Sequence, residues 1–173
     1  MRLQPYRQQD AEYIAGWMPE EEGLAKWCAN LLPYPLTPEN FHETLMTYQK
    51  ERNQLHFTAV TKEGKPAGFC FISPNYPDNS AFMGFVIVDS SQRGKGFGRL
   101  MIALVFRYVF MVLNMDSVSL RVYENNPGAL KMYEAAGMVR KEYLTNSFSY
   151  QGQSWNAYLM EKKKEDWLNE GNA

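Results

Sequence analysis

The sequence predicts a single mixed α/β domain over residues 1–173, built on a sheet with both antiparallel and parallel neighbours. Three observations predict it. A hairpin signature joins Leu55–Thr61 (LHFTAVT) to Ala67–Ile72 (AGFCFI) through Lys62-Glu63-Gly64-Lys65-Pro66. Over Phe82–Arg107 an apolar strand, a glycine-rich turn and a long helical pattern follow one another. A further β-branched strand, Ser117–Tyr123 (SVSLRVY), comes after that helix. Strand, helix, strand calls for a right-handed crossover, which lays Ser117–Tyr123 parallel to Ala81–Val88 and near it. The carboxyl ends of such strands open to one side, where ligands are favoured.

A chain of 173 residues buries roughly 70% of its unfolded surface, so a real core is available without staples. With 18 Lys and Arg against 19 Asp and Glu, the formal net charge is −1, which gives no footprint for nucleic acid. Cys28 and Cys70 sit in unrelated contexts with only His42 and His56 to join them, so no metal site is expected and the thiols are read as reduced. The opening MRLQPYRQQD lacks an apolar core, and the longest apolar run, Leu100–Phe106, is too short to span a bilayer. A cytoplasmic protein, monomer or homodimer, is expected.

In chain order, Arg2–Tyr6 reads as a first strand. Asp10 is a candidate N-cap for a helix to about Met18, with Tyr13, Ile14 and Trp17 on one face. Residues 19–37 read as irregular, since prolines 33, 35 and 38 break any helix there. Thr37-Pro38-Glu39 then starts a second helix running to about Lys50. Gly84, inside the apolar strand Ala81–Val88, marks a candidate bulge. The central helix follows Gly98 and ends near Asn114. Pro127 opens a helix through Ala136, stopped by Gly137. Met138–Phe148 and Ser154–Lys162 read as closing strands about Tyr150-Gln151-Gly152, with a short helix in Lys163–Glu170.

The turn after Val88 carries the first chemical signal. Gln92-Arg93 precede three glycines on alternate positions, Gly94, Gly96 and Gly98. Glycines let backbone N–H groups approach an anion, and a helix N-terminus adds about half a positive charge. The dinucleotide fingerprint fails because the third glycine comes one position early, and the P-loop fails because Gly98 is followed by Arg99-Leu100. What remains is Arg93-x-x-Gly96-x-Gly98 with cations at Arg93, Lys95 and Arg99, either a phosphate cradle or a solvated surface turn.

The second signal is Asn126-Pro127-Gly128-Ala129-Leu130-Lys131-Met132-Tyr133-Glu134-Ala135-Ala136-Gly137-Met138, in which Asn126, Ala129 and Tyr133 share one helical face. Together with Arg93-Gly94-Lys95-Gly96-Phe97-Gly98 it resembles the GNAT superfamily of acetyl-CoA-dependent N-acetyltransferases over Leu55 to Met160. Met138 stands where the family often has Phe. The resemblance implies a central, largely antiparallel sheet with a splayed parallel strand pair and flanking helices. It also implies that the backbone of Val86 and Val88 meets the pantetheine arm, that Arg93, Gly94, Lys95, Gly96, Phe97 and Gly98 bind pyrophosphate with Arg99 at the helix start, and that Asn126 and Ala129 line the arm. Tyr133 is then the residue that assists the thiolate leaving group; read without the resemblance, it is an ordinary ring buried on a helix.

A thiol near 8.5 and a tyrosine near 10 differ by about 1.5 units, so a hydrogen bond from Tyr133 to the thiolate is easier than full proton transfer. The nucleophile has to be a neutral amine. About a tenth of an α-amino group is neutral at pH 7, against about a thousandth of a lysine, which points to an α-amine of a small molecule or protein N-terminus, or to another small amine. Glu124, beside the strand end, is the first candidate for a base, with a water chain or a plain exposed carboxylate as alternatives. Trp17, Trp27, Tyr34 and Leu36 form either an acceptor wall or a satellite core, and Lys162-Lys163-Lys164 reads as a solvated run. An acyl-CoA-binding sensor without turnover and a nucleotide-binding module are the competing function classes.

Overall fold

The computed structural model describes residues 1–170. β1 (Arg2–Pro5) is followed by a 3-10 turn at Gln8–Asp10, a single α turn α1 (Ala11–Ile14) and a second 3-10 turn at Ala15–Trp17. The helical segment stands where the sequence predicts it, but Asp10 does not cap it. Its carboxylate is buried and accepts from Thr58 Oγ1 at 2.8 Å, from the Arg7 backbone N at 3.1 Å and from Arg7 Nη2 at 3.1 Å. A buried charge requires such partners, and three donors outweigh one helix-end contact. Ala11, Ile14 and Ala15 form the buried face while Tyr13 lies 45% exposed, because flanking 3-10 turns, with three residues per turn, rotate the apolar stripe away from α-helical spacing.

The stretch expected to be irregular contains α2 (Glu21–Cys28). Acidic Glu21 and Glu22 at its start and Lys26 in its last turn suit the helix dipole, and Lys26 Nζ meets Glu22 Oε1 at 2.7 Å. The prolines act only beyond its end. α3 (Pro38–Arg52) starts as expected: Thr37 Oγ1 accepts from Asn40 N while Thr37 N donates to Asn40 Oδ1 at 2.9 Å, a reciprocal cap.

β2 (Leu55–Val60) and β3 (Pro66–Asn75) form the predicted hairpin, from Leu55↔Ile72 onward, and β1 pairs antiparallel with β2. β4 (Ser80–Val88) leads through a 3-10 turn at Ser90–Gln92 to α4 (Phe97–Arg107), which continues as a π-helical turn, Tyr108–Val112. The helix begins two residues before its expected start, so Gly98 lies in its first turn, and Leu100 N donates to Gly96 O. β5 (Ser117–Tyr123) has its predicted bounds. α5 (Pro127–Ala135), β6 (Val139–Tyr150), β7 (Gln153–Lys163) and α6 (Lys164–Glu170) complete the chain. The seven-stranded sheet has the order β1-β2-β3-β4-β5-β7-β6. β5/β7 and β6/β7 are antiparallel, and β4 and β5 form the expected parallel pair, from Ser80↔Ser117 to Phe82↔Ser119.

Two compact units interleave along the chain: Met1–Ser73 with Gly84–Met101, and Pro74–Met83 with Ile102 onward. The first is packed around Ile14, Leu24, Phe41, Leu45, Phe69 and Ile72, with Phe41 and Phe69 edge to face at 5.2 Å. Within β4, Phe85 stands at φ +49, one position after the glycine where a bulge is expected. Gly84 is required for a steric reason: a Cβ there would lie 2.3 Å from Cζ of Phe71, whose ring packs edge-on against Phe85 at 4.9 Å.

The second unit buries Ile102, Phe110, Met115, Leu120 and Met160. Lys162, expected in a solvated run, is 3% exposed and paired with Glu170 at 2.5 Å. The strand alternation of β7 turns it inward, and Lys164 Nζ is held by Asn114 Oδ1 at 2.6 Å.

Candidate active site

In the first unit, Val86 and Val88 occupy the half-buried face of β4, alternating with buried Phe85 and Ile87. The chain leaves the strand through Asp89, whose N donates to Ala67 O at 3.0 Å and whose Oδ1 accepts from Ser91 N at 2.9 Å. Such a local side-chain bond favours a turn over continued strand. Gly94 and Gly96 then take φ +73 and +79, the left-handed region that other residues enter at a cost. A Cβ at either meets nothing within 4 Å, so the turn faces open space. Arg93, Lys95 and Arg99 are exposed along it. Arg93 is partly committed, since its Nε donates to Val88 O at 3.3 Å. The first-turn N–H groups of α4 have no intrahelical acceptor, as at any helix start.

Trp27, one of the four residues read as either an acceptor wall or a satellite core, belongs to the core here: its ring lies 6.1 Å from Phe41, 6.5 Å from Phe69 and 5.9 Å from Phe85. Its Nε1 is a buried donor without a hydrogen-bond partner among the described residues. Tyr34 lies exposed, and Trp17 and Leu36 are half-buried.

In the second unit, Asn126 caps α5: its Oδ1 accepts from Ala129 N at 3.3 Å, with Pro127 at the first helical position. Asn126 and Ala129 are half-buried and Tyr133 is buried at 5% exposure, on one helix face as the spacing predicts. Gly137, at φ +84, ends the helix, with Met138 N donating to Tyr133 O at 3.0 Å.

Glu124 stands one residue past β5, its N donating to Asn156 O at 3.0 Å. Its Oε2 accepts from Tyr143 OH at 2.8 Å and from Asn156 Nδ2 at 3.3 Å. The hydrogen bond to Glu124 raises the Tyr143 phenol above its usual range, with desolvation a further cause. Tyr143 and Asn156 are partners of Glu124 that the linear sequence does not disclose. The register of the closing strands brings them there, with Tyr123 opposite Ala157 and Tyr143 opposite Tyr158.

Comparison with known proteins supplies the reaction class. A family model described as an acetyltransferase (GNAT) domain matches residues 1–139. The chain is 26% identical over 141 residues to a prophage-derived uncharacterized N-acetyltransferase of Bacillus subtilis, a match covering 81% of this chain and 79% of that protein. A spermidine N(1)-acetyltransferase of Vibrio cholerae is 33% identical over 98 residues, 57% of this chain and 56% of that protein. The solved structure of spermidine N-acetyltransferase from Vibrio cholerae in complex with CoA and spermine has the same fold, with a TM-score of 0.81 over 96% of each chain at 21% identity. A strand, a glycine turn into a helix and a capped tyrosine-bearing helix thus stand in a chain four-fifths of which fits one family: the protein belongs to the GNAT family and is an N-acetyltransferase.

Proposed function

We propose that the protein moves the acetyl group of acetyl-CoA to a primary amine of a small polyamine, by direct attack of the neutral nitrogen on the thioester. The observation that carries this reading is the presence, in one GNAT chain, of both the Arg93–Arg99 glycine turn and the Asn126–Tyr133 helix face. The turn suits a diphosphate because two positive-φ glycines leave the space above them open and three cations flank it. On this reading residues Arg93 to Arg99 hold the diphosphate and the backbone of Val86 and Val88 flanks the pantetheine arm. Ala129 leaves room for that arm. Asn126 meets it through Nδ2, because its Oδ1 is taken by the helix cap.

In the reaction the amine nitrogen bonds to the carbonyl carbon, the carbon–sulfur bond breaks, and the amine's surplus proton passes to water, with Glu124 as the carboxylate on the acceptor side. Tyr133 hydrogen-bonds the departing thiolate. Full proton transfer would be uphill by roughly 2 kcal/mol between a tyrosine near 10 and a thiol near 8.5, so stabilising the anion is its main work. Burial strengthens that hydrogen bond by removing competing water.

The neutral fraction at pH 7 favours α-amines over alkylamines. Against that, the spermidine-acetylating relative and the spermine-bound neighbour favour the small polyamine. An alkylamine near 10 is about a thousandth neutral at pH 7, so turnover should climb with pH. The test follows thiol release from acetyl-CoA with spermidine. Tyr133→Phe should lower kcat about ten- to hundredfold with an unchanged acetyl-CoA KM and a native circular-dichroism spectrum. An unchanged kcat removes Tyr133 from the chemistry, and absence of thiol release with spermidine and related small amines removes the acceptor assignment.

A further inference from the structure

Three carboxylates of the second unit each answer a cation: Glu134 meets Arg140 at 2.6 Å, Glu161 meets Lys141 at 3.5 Å and Glu170 meets Lys162 at 2.5 Å. Glu124 is held differently. Its Oε2 takes hydrogen bonds from Tyr143 and Asn156, and Asn156 Nδ2 also reaches Tyr143 OH at 2.8 Å, which closes a triangle between the end of β5 and both closing strands. Among the described residues no cation lies within ion-pair distance of Glu124, and its Oε1 takes no hydrogen bond.

The triangle is itself braced. Asn156 Oδ1 accepts from Asn146 N at 3.0 Å, and Ser154 Oγ donates to Asn146 Oδ1 at 2.6 Å. Asn146 sits at φ +52, where the β6/β7 register slips between Leu144 and Phe148. The Tyr143 ring packs on Tyr158 at 5.0 Å. Hydrogen bonds on an exposed surface add little to stability. What this network does is fix one carboxylate in advance, so that a ligand does not bear the cost of ordering it. Both donors are neutral, so neither places an opposing charge beside the carboxylate. The result is a fixed anion with one oxygen open.

We propose that Glu124, held by Tyr143 and Asn156, is the seat for a second ammonium group of the acceptor, with Oε1 as the contact. The inference rests on the amine-acetylating reading above and moves Glu124 from proton abstraction to charge recognition. An N–H···O contact between a carboxylate and an alkylammonium is charge-assisted. Glu124 stands two residues before Asn126, the cap of the helix that bears Tyr133. A di- or polyamine can react through one nitrogen and rest another on this carboxylate; a monoamine cannot. Tyr143 and Asn156 act through Glu124 and are positioning residues.

The experiment measures kcat/KM with acetyl-CoA for spermidine and for propylamine, and separately spermidine affinity by calorimetry. Glu124→Gln should lower the spermidine-to-propylamine ratio of kcat/KM about tenfold, mainly through the spermidine KM, and weaken spermidine binding by a similar factor. Tyr143→Phe and Asn156→Leu should lower the ratio by smaller factors, and Glu124→Asp should restore part of it. An unchanged ratio together with unchanged spermidine affinity in Glu124→Gln overturns the proposal, as does an equal fall in kcat for both amines, which marks action on the reacting nitrogen. If neither amine is acetylated by the wild type but spermidine binding still depends on Glu124, the acceptor assignment fails and the seat stands. If that binding is indifferent to Glu124, the seat fails whatever the turnover.

Discussion

Replacing Gly84 by alanine tests whether β4 is shaped by a ring lying on its backbone. The added Cβ would lie 2.3 Å from Cζ, 2.4 Å from Cε1 and 3.2 Å from Cε2 of Phe71. Carbon atoms rest about 3.5 to 4.0 Å apart, so the ring has to retreat by more than about 1 Å. It has little room to do so, being 5% exposed and edge-packed on Phe85, which stands at positive φ and faces Trp27 at 5.9 Å. Overpacking of this kind costs about 1–3 kcal/mol. Taking about 2 kcal/mol, and about 2–4 °C per kcal/mol for a chain of this size, calorimetry should show Tm falling by about 4–8 °C. Phe71→Leu removes the offending atoms at the cost of a cavity, so the double variant should lose at least about 1 kcal/mol less than the sum of the singles. A Tm for Gly84→Ala within a degree of wild type, or strict additivity with Phe71→Leu, would refute the steric account.

Gly96→Ala meets no atoms, so its penalty is the left-handed backbone alone, about 1–2 kcal/mol; the acetyl-CoA KM should rise several-fold, and an unchanged KM would detach the turn from the donor. His56 gives a pH prediction. It is 7% exposed, stacked on Phe69 and bonded through Nε2 to Gln54 Oε1 at 3.2 Å, and burial lowers its pKa from 6.5 to about 4. Between those values the unfolded chain binds the proton and the folded one does not, so stability falls as pH drops from about 6.5 to about 4, by at most about 3 kcal/mol. Denaturant titrations should show that extra loss in wild type and not in His56→Phe, and parallel curves would count against it.

Much of this molecule is written in local signals. The β2–β3 hairpin, the Thr37 cap, β5 and the Asn126 cap each follow from residues within a few positions of one another. Failures came where distant partners decide. Asp10 has the side chain of an N-cap, yet Thr58, far away in sequence, claims it. The helix over Glu21–Cys28 was hidden by the neighbouring prolines, although its acids and Lys26 already carried the dipole pattern. Gly98 looks like turn because its neighbours are, while a first helical turn tolerates glycine at small cost. Tyr143 and Asn156 left no trace in the linear pattern, because only the register of three strands sets them beside Glu124.

The left-handed stop at Gly137 carries one more consequence. A methyl group there would meet Lys162 Nζ at 2.7 Å and Glu170 Oε1 at 3.1 Å, so the closing ion pair fills the ground beneath the end of the Tyr133 helix. The last helix is therefore a remote doorstop for the tyrosine. Removing Glu170 or reversing its charge would strand a buried ammonium beside that helix, and on the role proposed for Tyr133 a change so distant in sequence would be read out in turnover.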